Sequence, residues 1–161
     1  MNKERRVTEE NIVVVFEEDV KASQLNKILK DFRGEAIVNK DIDIDEHIHL
    51  KCNLYVMGDV ICKLPFNGYD IFITGDFYCF GKVDCEDIRI NGNLYCATSI
   101  NASNIKVKEN FWCEDSLVVM DTGIVVGGDF ECYSIEVNEI SVLGTIKVES
   151  GIYAAKINAG Y

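Results

Sequence analysis

The segment "GDFYCFGKVDCEDIRIN" (75–91) is followed at once by "GNLYCATSINASNIKVK" (92–108), and the two match in pattern without a gap. A repeat of this kind constrains a chain more than any single motif. Each unit must fold like its neighbour and bury its apolar side against it. The same pattern fits 58–74 and 144–160, again at 17 residues. Segments 40–57, 109–127 and 128–143 fit with one extra residue, two extra and one fewer, giving seven consecutive units from Lys40 to Gly160.

Within a unit, apolar residues recur as three pairs, each pair spaced by two: Phe77/Cys79, Val83/Cys85 and Ile88/Ile90, then Leu94/Cys96, Ile100/Ala102 and Ile105/Val107. A spacing of two puts both members on one face of a strand. The four ungapped units offer 24 such positions, of which 23 are apolar and Gly68 is the exception, although only 48% of the chain is hydrophobic. Three short strands per unit, all turning the same face inward, describe one coil of a three-sided parallel β-solenoid. The fold class expected is all-β: about seven 17-residue coils, with an N-terminal α-helical cap. Stacked at strand spacing, seven coils make a rod on the order of 34 Å long.

Asp59, Asp76, Asn93, Asn110 and Asp129 mark one corner, and Asn53, Asp70, Asp87 and Asn104 another. Such residues suit corners because their side chains bond nearby backbone and tolerate left-handed geometry.

A solenoid has two open ends that can recruit other strands. On the N-terminal side, "DVKASQLNKILKDFRG" reads as a helix over about 19–33, capped by Asp19 and ended by Gly34, with Val20, Leu25, Ile28, Leu29 and Phe32 as its apolar stripe. The domain reading is therefore an N-terminal strand and capping helix (1–39) on a solenoid (40–161), one structural domain overall. On the C-terminal side, Ile152, Ala154, Ile157 and Ala159 form an edge without such a cover. This edge either pairs with another copy or, being built of short strands with small residues, is a weak template; pairing is favoured.

Cys62, Cys79, Cys96, Cys113 and Cys132 fall in the same place in successive units. A column of thiolates could bind a soft metal. Metal ligands must converge tetrahedrally, however, whereas a ladder points them in parallel, so the thiols read as small corner fillers. His47 and His49, at i, i+2 on an outer face near Asp43 and Asp45, are the best metal candidates, and weak ones; alternation of polar-out residues predicts the same letters. No metal or cofactor is expected. The Gly-rich nonapeptide of calcium-binding β-rolls is absent, as are GxSxG, HExxH and P-loop patterns, which argues against an enzyme.

Ile61, Tyr78, Tyr95 and Trp112 occupy one outward position in four successive units, an apolar stripe of the kind that marks a contact surface. It suits a protein partner, cover by the chain's own N-terminal segment, or a sugar chain stacked on the rings. The net charge of −11, with no basic cluster, excludes nucleic acid and anionic membrane as partners. "MNKERR" is not followed by an apolar h-region, and "IVVVF" is too short to span a bilayer, so no membrane insertion is expected. Seven cysteines without an export signal read as reduced thiols in a cytoplasm.

The rhythm of "GDFYC", "GNLYC" and "GDFEC", with "SINASNIKVK" and "YAAKINAG", resembles the bactofilins, polymer-forming cytoskeletal β-helix proteins of bacteria, over about 40–160. The resemblance implies a right-handed β-helix, nucleotide-independent end-to-end assembly and a scaffolding role without catalysis. The capping helix, the cysteine column and the lack of an evident membrane-targeting start depart from that family's pattern. The function expected is thus a non-catalytic scaffold acting through self-association, end-to-end or as a dimer, or through a protein partner. The alternative is a carbohydrate-binding or carbohydrate-processing β-helix that uses the aromatic column.

Overall fold

The computed structural model describes residues 3–7 and 12–160. Parts of the expected N-terminal unit (1, 2 and 8–11), and the last residue of the expected solenoid unit, lie outside the described residues. The chain opens with β1 (Lys3–Val7) and β2 (Ile12–Phe16), continues through α1 (Ala22–Leu29) and β3 (Glu35–Val38), and then enters the coils. The first coil is β4 (Ile42–Ile44), β5 (Ile48–His49) and β6 (Asn53–Val56). The second is β7 (Val60–Cys62), β8 (Phe66–Asn67) and β9 (Ile71–Ile73).

From the third coil on, strands run through corners: β10 (Phe77–Cys79) and β11 (Val83–Ile90), then β12 (Leu94–Cys96) and β13 (Ile100–Val107). The last three coils are single bent strands, β14 (Phe111–Val126), β15 (Phe130–Val142) and β16 (Ile146–Ala159). Three short strands per unit were expected. The difference arises because pairing with the adjacent coil persists into the bend, as at Asp87 opposite Asn104, so the ladder hardly breaks there.

All coil-to-coil pairing is parallel, and its register defines three walls. The first stacks Val60, Phe77, Leu94, Phe111, Phe130 and Ile146. The second stacks Phe66, Val83, Ile100, Leu117, Ile135 and Ile152. The third stacks Ile71, Ile88, Ile105, Ile124, Ile140 and Ile157. The fold is the all-β solenoid of about seven turns that the repeat predicts, with a small N-terminal helix. Inward residues of the first six coils form one continuous apolar core. Gly68 is the gap in the pattern: a side chain there would meet the Phe66 ring at 3.0 Å.

The corner between the third and first walls explains the Asp/Asn column. Asp41 Oδ1 accepts the Asp59 N–H at 2.8 Å, Asp59 Oδ1 accepts that of Asp76 at 2.7 Å, and Asp76 Oδ1 accepts that of Asn93 at 2.7 Å. Asn93, Asn110 and Asp129 continue the relay as far as Thr145. Each side chain thus satisfies a backbone donor of the following coil, one that the turn removes from the strand ladder. Left-handed geometry plays no part, since among the described residues no non-glycine residue has positive φ.

The N-terminal end is closed. The helix begins at Ala22, later than expected, because the Gln24 side chain accepts the Lys21 N–H at 2.9 Å. Asp19 is not the cap; it lies outside the helix and pairs with Lys40 at 3.2 Å. Ala22, Leu25 and Leu29 are fully buried, with Val20, Ile28 and Phe32 packed beside them. The Asn26 amide ties the helix to the His47 carbonyl of the first coil at 2.9 Å. Alongside, β3 and β2 extend the third wall in parallel beyond the first coil, and β1 turns back antiparallel on β2. This end is stepped as well as covered.

Candidate functional site

The register brings Ile61, Tyr78, Tyr95 and Trp112 onto one outward line of the first wall, in adjacent rungs. The line begins at Asp43 and continues past Trp112 as Glu131 and Lys147. Two aromatic residues beside it, Phe80 and Tyr133, were not singled out from the sequence; both are exposed. Each follows directly after a buried column cysteine, in "YCF" and "ECY", so the outward position one residue beyond that cysteine carried the signal. Phe80 and Tyr95 meet at 5.9 Å between centroids with planes tilted by 59°.

Near the C-terminal part of this line, Tyr95, Trp112, Tyr133, Glu114, Glu131 and Glu149 line a cleft of about 440 Å3. The Tyr95 hydroxyl donates to Glu114 Oε1 at 2.5 Å, a bond to a carboxylate that raises the tyrosine's pKa. Lys147 pairs with Glu131, and that bond raises the lysine's pKa in turn. Tyr78 is anchored likewise, its hydroxyl donating to Asp76 at 3.1 Å.

The cysteine column faces inward at the corner between the first and second walls, with all its thiols buried. Its ends are closed in the same register by Ile44 and Val148, apolar residues of similar size. The thiols do more than fill space. Cys62 donates to the Leu64 carbonyl at 3.0 Å, and Cys79 to that of Gly81 at 2.9 Å. Cys96 and Cys113 both reach the Thr98 carbonyl. A valine would fill the corner but leave these turn carbonyls without that donor. Within the column the neighbouring thiols move one another's pKa values: Cys62 first and Cys96 second raise that of Cys79, Cys96 raises that of Cys113, and Cys113 with Cys79 lowers that of Cys96. Burial alone raises Cys52 to about 11 and is the main cause that raises Cys132 to about 12.

His47 and His49 stand exposed on the second wall, with His47 Nε2 3.3 Å from the Asn67 amide. Asp43, expected near them, is engaged by Lys63 at 2.7 Å. Among the described residues no group of three or more His, Cys, Asp or Glu side chains is placed to share a metal ion. No described helix is long and apolar enough to cross a membrane.

The two ends of the rod differ most at equivalent positions. In the first coil, under the helix, Ile48 and Leu54 are 0% and 2% exposed. In the last coil, Ile152 and Ile157 are 46% and 47% exposed, Ala159 is exposed, and Ala154 is half-buried. Their partners one coil earlier, Ile135, Val137, Ile140 and Val142, are all buried. Among the described residues β16 pairs with β15 alone. Comparison with protein-family models, with curated proteins and with solved structures gives no match.

Proposed function

We propose that the protein is a non-catalytic scaffold, a solenoid capped at one end that pairs with a second copy through its last coil. The observation carrying this reading is the contrast between its ends: the same apolar positions are covered by a helix at the first coil and bare at the seventh. Every coil of this rod already rests on a coil of the same shape, so another copy's last coil offers both the backbone partners and the apolar face that β16 lacks. The stepped, helix-covered N-terminal end presents no such surface, which disfavours head-to-tail growth and leaves an isologous tail-to-tail dimer. The bactofilin-like repeat supports a cytoskeletal scaffolding role in a bacterial cytoplasm, with assembly stopping at two copies instead of extending into a polymer. Seven thiols free of disulfides support the reducing compartment.

Sedimentation velocity over a dilution series tests the pairing. The wild-type chain is expected to shift with concentration toward twice its 18.1 kDa mass and no further. Ile157→Lys, which places a charge where the pairing surface is bare, is expected to hold the protein at 18.1 kDa with its circular dichroism unchanged. A wild-type monomer at every concentration would remove the proposal. Open-ended growth would refute the cap's role.

A further inference from the structure

The cleft over Tyr95, Trp112 and Tyr133 combines two features that together select a ligand. Three aromatic rings and the carboxylates of Glu114, Glu131 and Glu149 line it together. Among the described ion pairs only Lys147 offsets them, paired to Glu131 and with its charge also felt by Glu149, while Glu114 accepts from the Tyr95 hydroxyl, so three carboxylates face one cation. Aromatic faces attract cations through the ring quadrupole, and carboxylates at the rim add charge-assisted hydrogen bonds, most strongly to a guanidinium. The chain's net charge of −11 favours the approach of a basic partner at long range. A neutral sugar fits less well, because it brings no charge to offset the three carboxylates of the lining.

We infer that this cleft is a docking site for an extended basic segment of a partner protein, with arginine or lysine side chains laid on the rings and paired to Glu114 and Glu149. The dimensions suit such a segment. The rungs of Glu114 and Glu149 are two rung spacings apart, about 9.6 Å, and same-side residues of an extended peptide recur every ~6.8 Å. Two basic residues at i and i+2, whose long side chains add the remaining reach, therefore bring one cation to each of these carboxylates. An open cleft encloses little of a small cation, so the peptide backbone that links the two charges supplies the remaining contact. This docking deepens the protein-contact side of the scaffold reading, but it does not depend on pairing through β16.

Trp112 is the chain's single tryptophan, so its emission reports on this cleft alone. The test titrates the full-length protein with fluorescein-labelled Gly-Arg-Gly-Arg-Gly, reading anisotropy and Trp112 emission together. Gly-Glu-Gly-Glu-Gly, spermine and cellohexaose serve as comparisons. Saturable binding of the arginine peptide that perturbs Trp112 is expected, weakening as salt rises and falling by at least about ten-fold in the Glu114→Gln/Glu149→Gln double variant. Both substitutions keep side-chain size on the surface, and sedimentation of the variant shows separately whether pairing is retained. No saturable binding up to millimolar peptide, equal affinity in the double variant, or tighter binding of spermine or cellohexaose would each overturn the inference.

Discussion

Phe111→Ala is expected to lower the free energy of unfolding by about 3–5 kcal/mol, the range for deleting a fully buried aromatic side chain. Phe111 is 0% exposed and sits mid-stack in the first wall, between Leu94 and Phe130. Its ring meets that of Phe130 edge-on at 5.2 Å. In a globular core such a cavity can be filled from several directions. In a solenoid each coil is held by hydrogen bonds to the coils on either side, so neighbours cannot close the gap without breaking ladder bonds. The loss is therefore expected near the upper end, with both adjacent interfaces weakened. Urea denaturation followed by circular dichroism measures it, and a loss below about 1 kcal/mol would mean that the stacked rings do not carry the core.

Gly92→Val is expected to cost about 2–3 kcal/mol despite lying at the surface of a corner. A Cβ at Gly92 would fall 2.2 Å from Asp76 Oδ1 and 2.6 Å from the Gly75 carbonyl, the two atoms that hold this corner together. Asp76 Oδ1 also receives the Asn93 N–H, so the substitution strikes the relay that links coils. The chain contains its own comparison. At the equivalent place in the next coil stands Glu109, and its N–H bond to the Gly92 carbonyl is 3.3 Å, against 3.0 Å for Gly92 on Gly75 and for Gly75 on Gly58. The corner accepts a side chain there by stretching. Thermal unfolding of Gly92→Val beside Glu109→Ala separates the effects: a large drop is expected for the first and a change within about 0.5 kcal/mol for the second. Equal effects would contradict the corner account.

Most of the fold is legible in the sequence because a solenoid writes its register directly into residue spacing. Pairs such as Phe77/Cys79 and Ile88/Ile90 lie inward as their spacing requires, and the aromatic line from Ile61 to Trp112 emerges in adjacent rungs. What spacing does not convey is where hydrogen bonds go. The Asp59–Asp129 corner bonds backbone of the following coil and leaves left-handed geometry unused, a distinction invisible without the neighbouring coil in place. The helix start is similar: Asp19 is a good cap by type, but the Lys21–Gln24 bond fixes the turn two residues later. Phe80 and Tyr133 escape a strand-by-strand reading because each follows a column cysteine, at the corner where the first and second walls meet. The exposure of the seventh coil against the buried first coil is seen only in the structure.

If two copies meet at their last coils, distances between labelled sites report it. Spin labels on Asn158→Cys, an outward position of the last coil, and separately on Lys27→Cys of the helix, can be attached selectively because the native thiols are buried. Tail-to-tail pairing of rods about 34 Å long places the two labels at 158 within about 20 Å of each other, and those at 27 about 70 Å apart. A short distance between label 27 of one copy and label 158 of another, in a sample mixing the two variants, would contradict the account and establish head-to-tail assembly in its place.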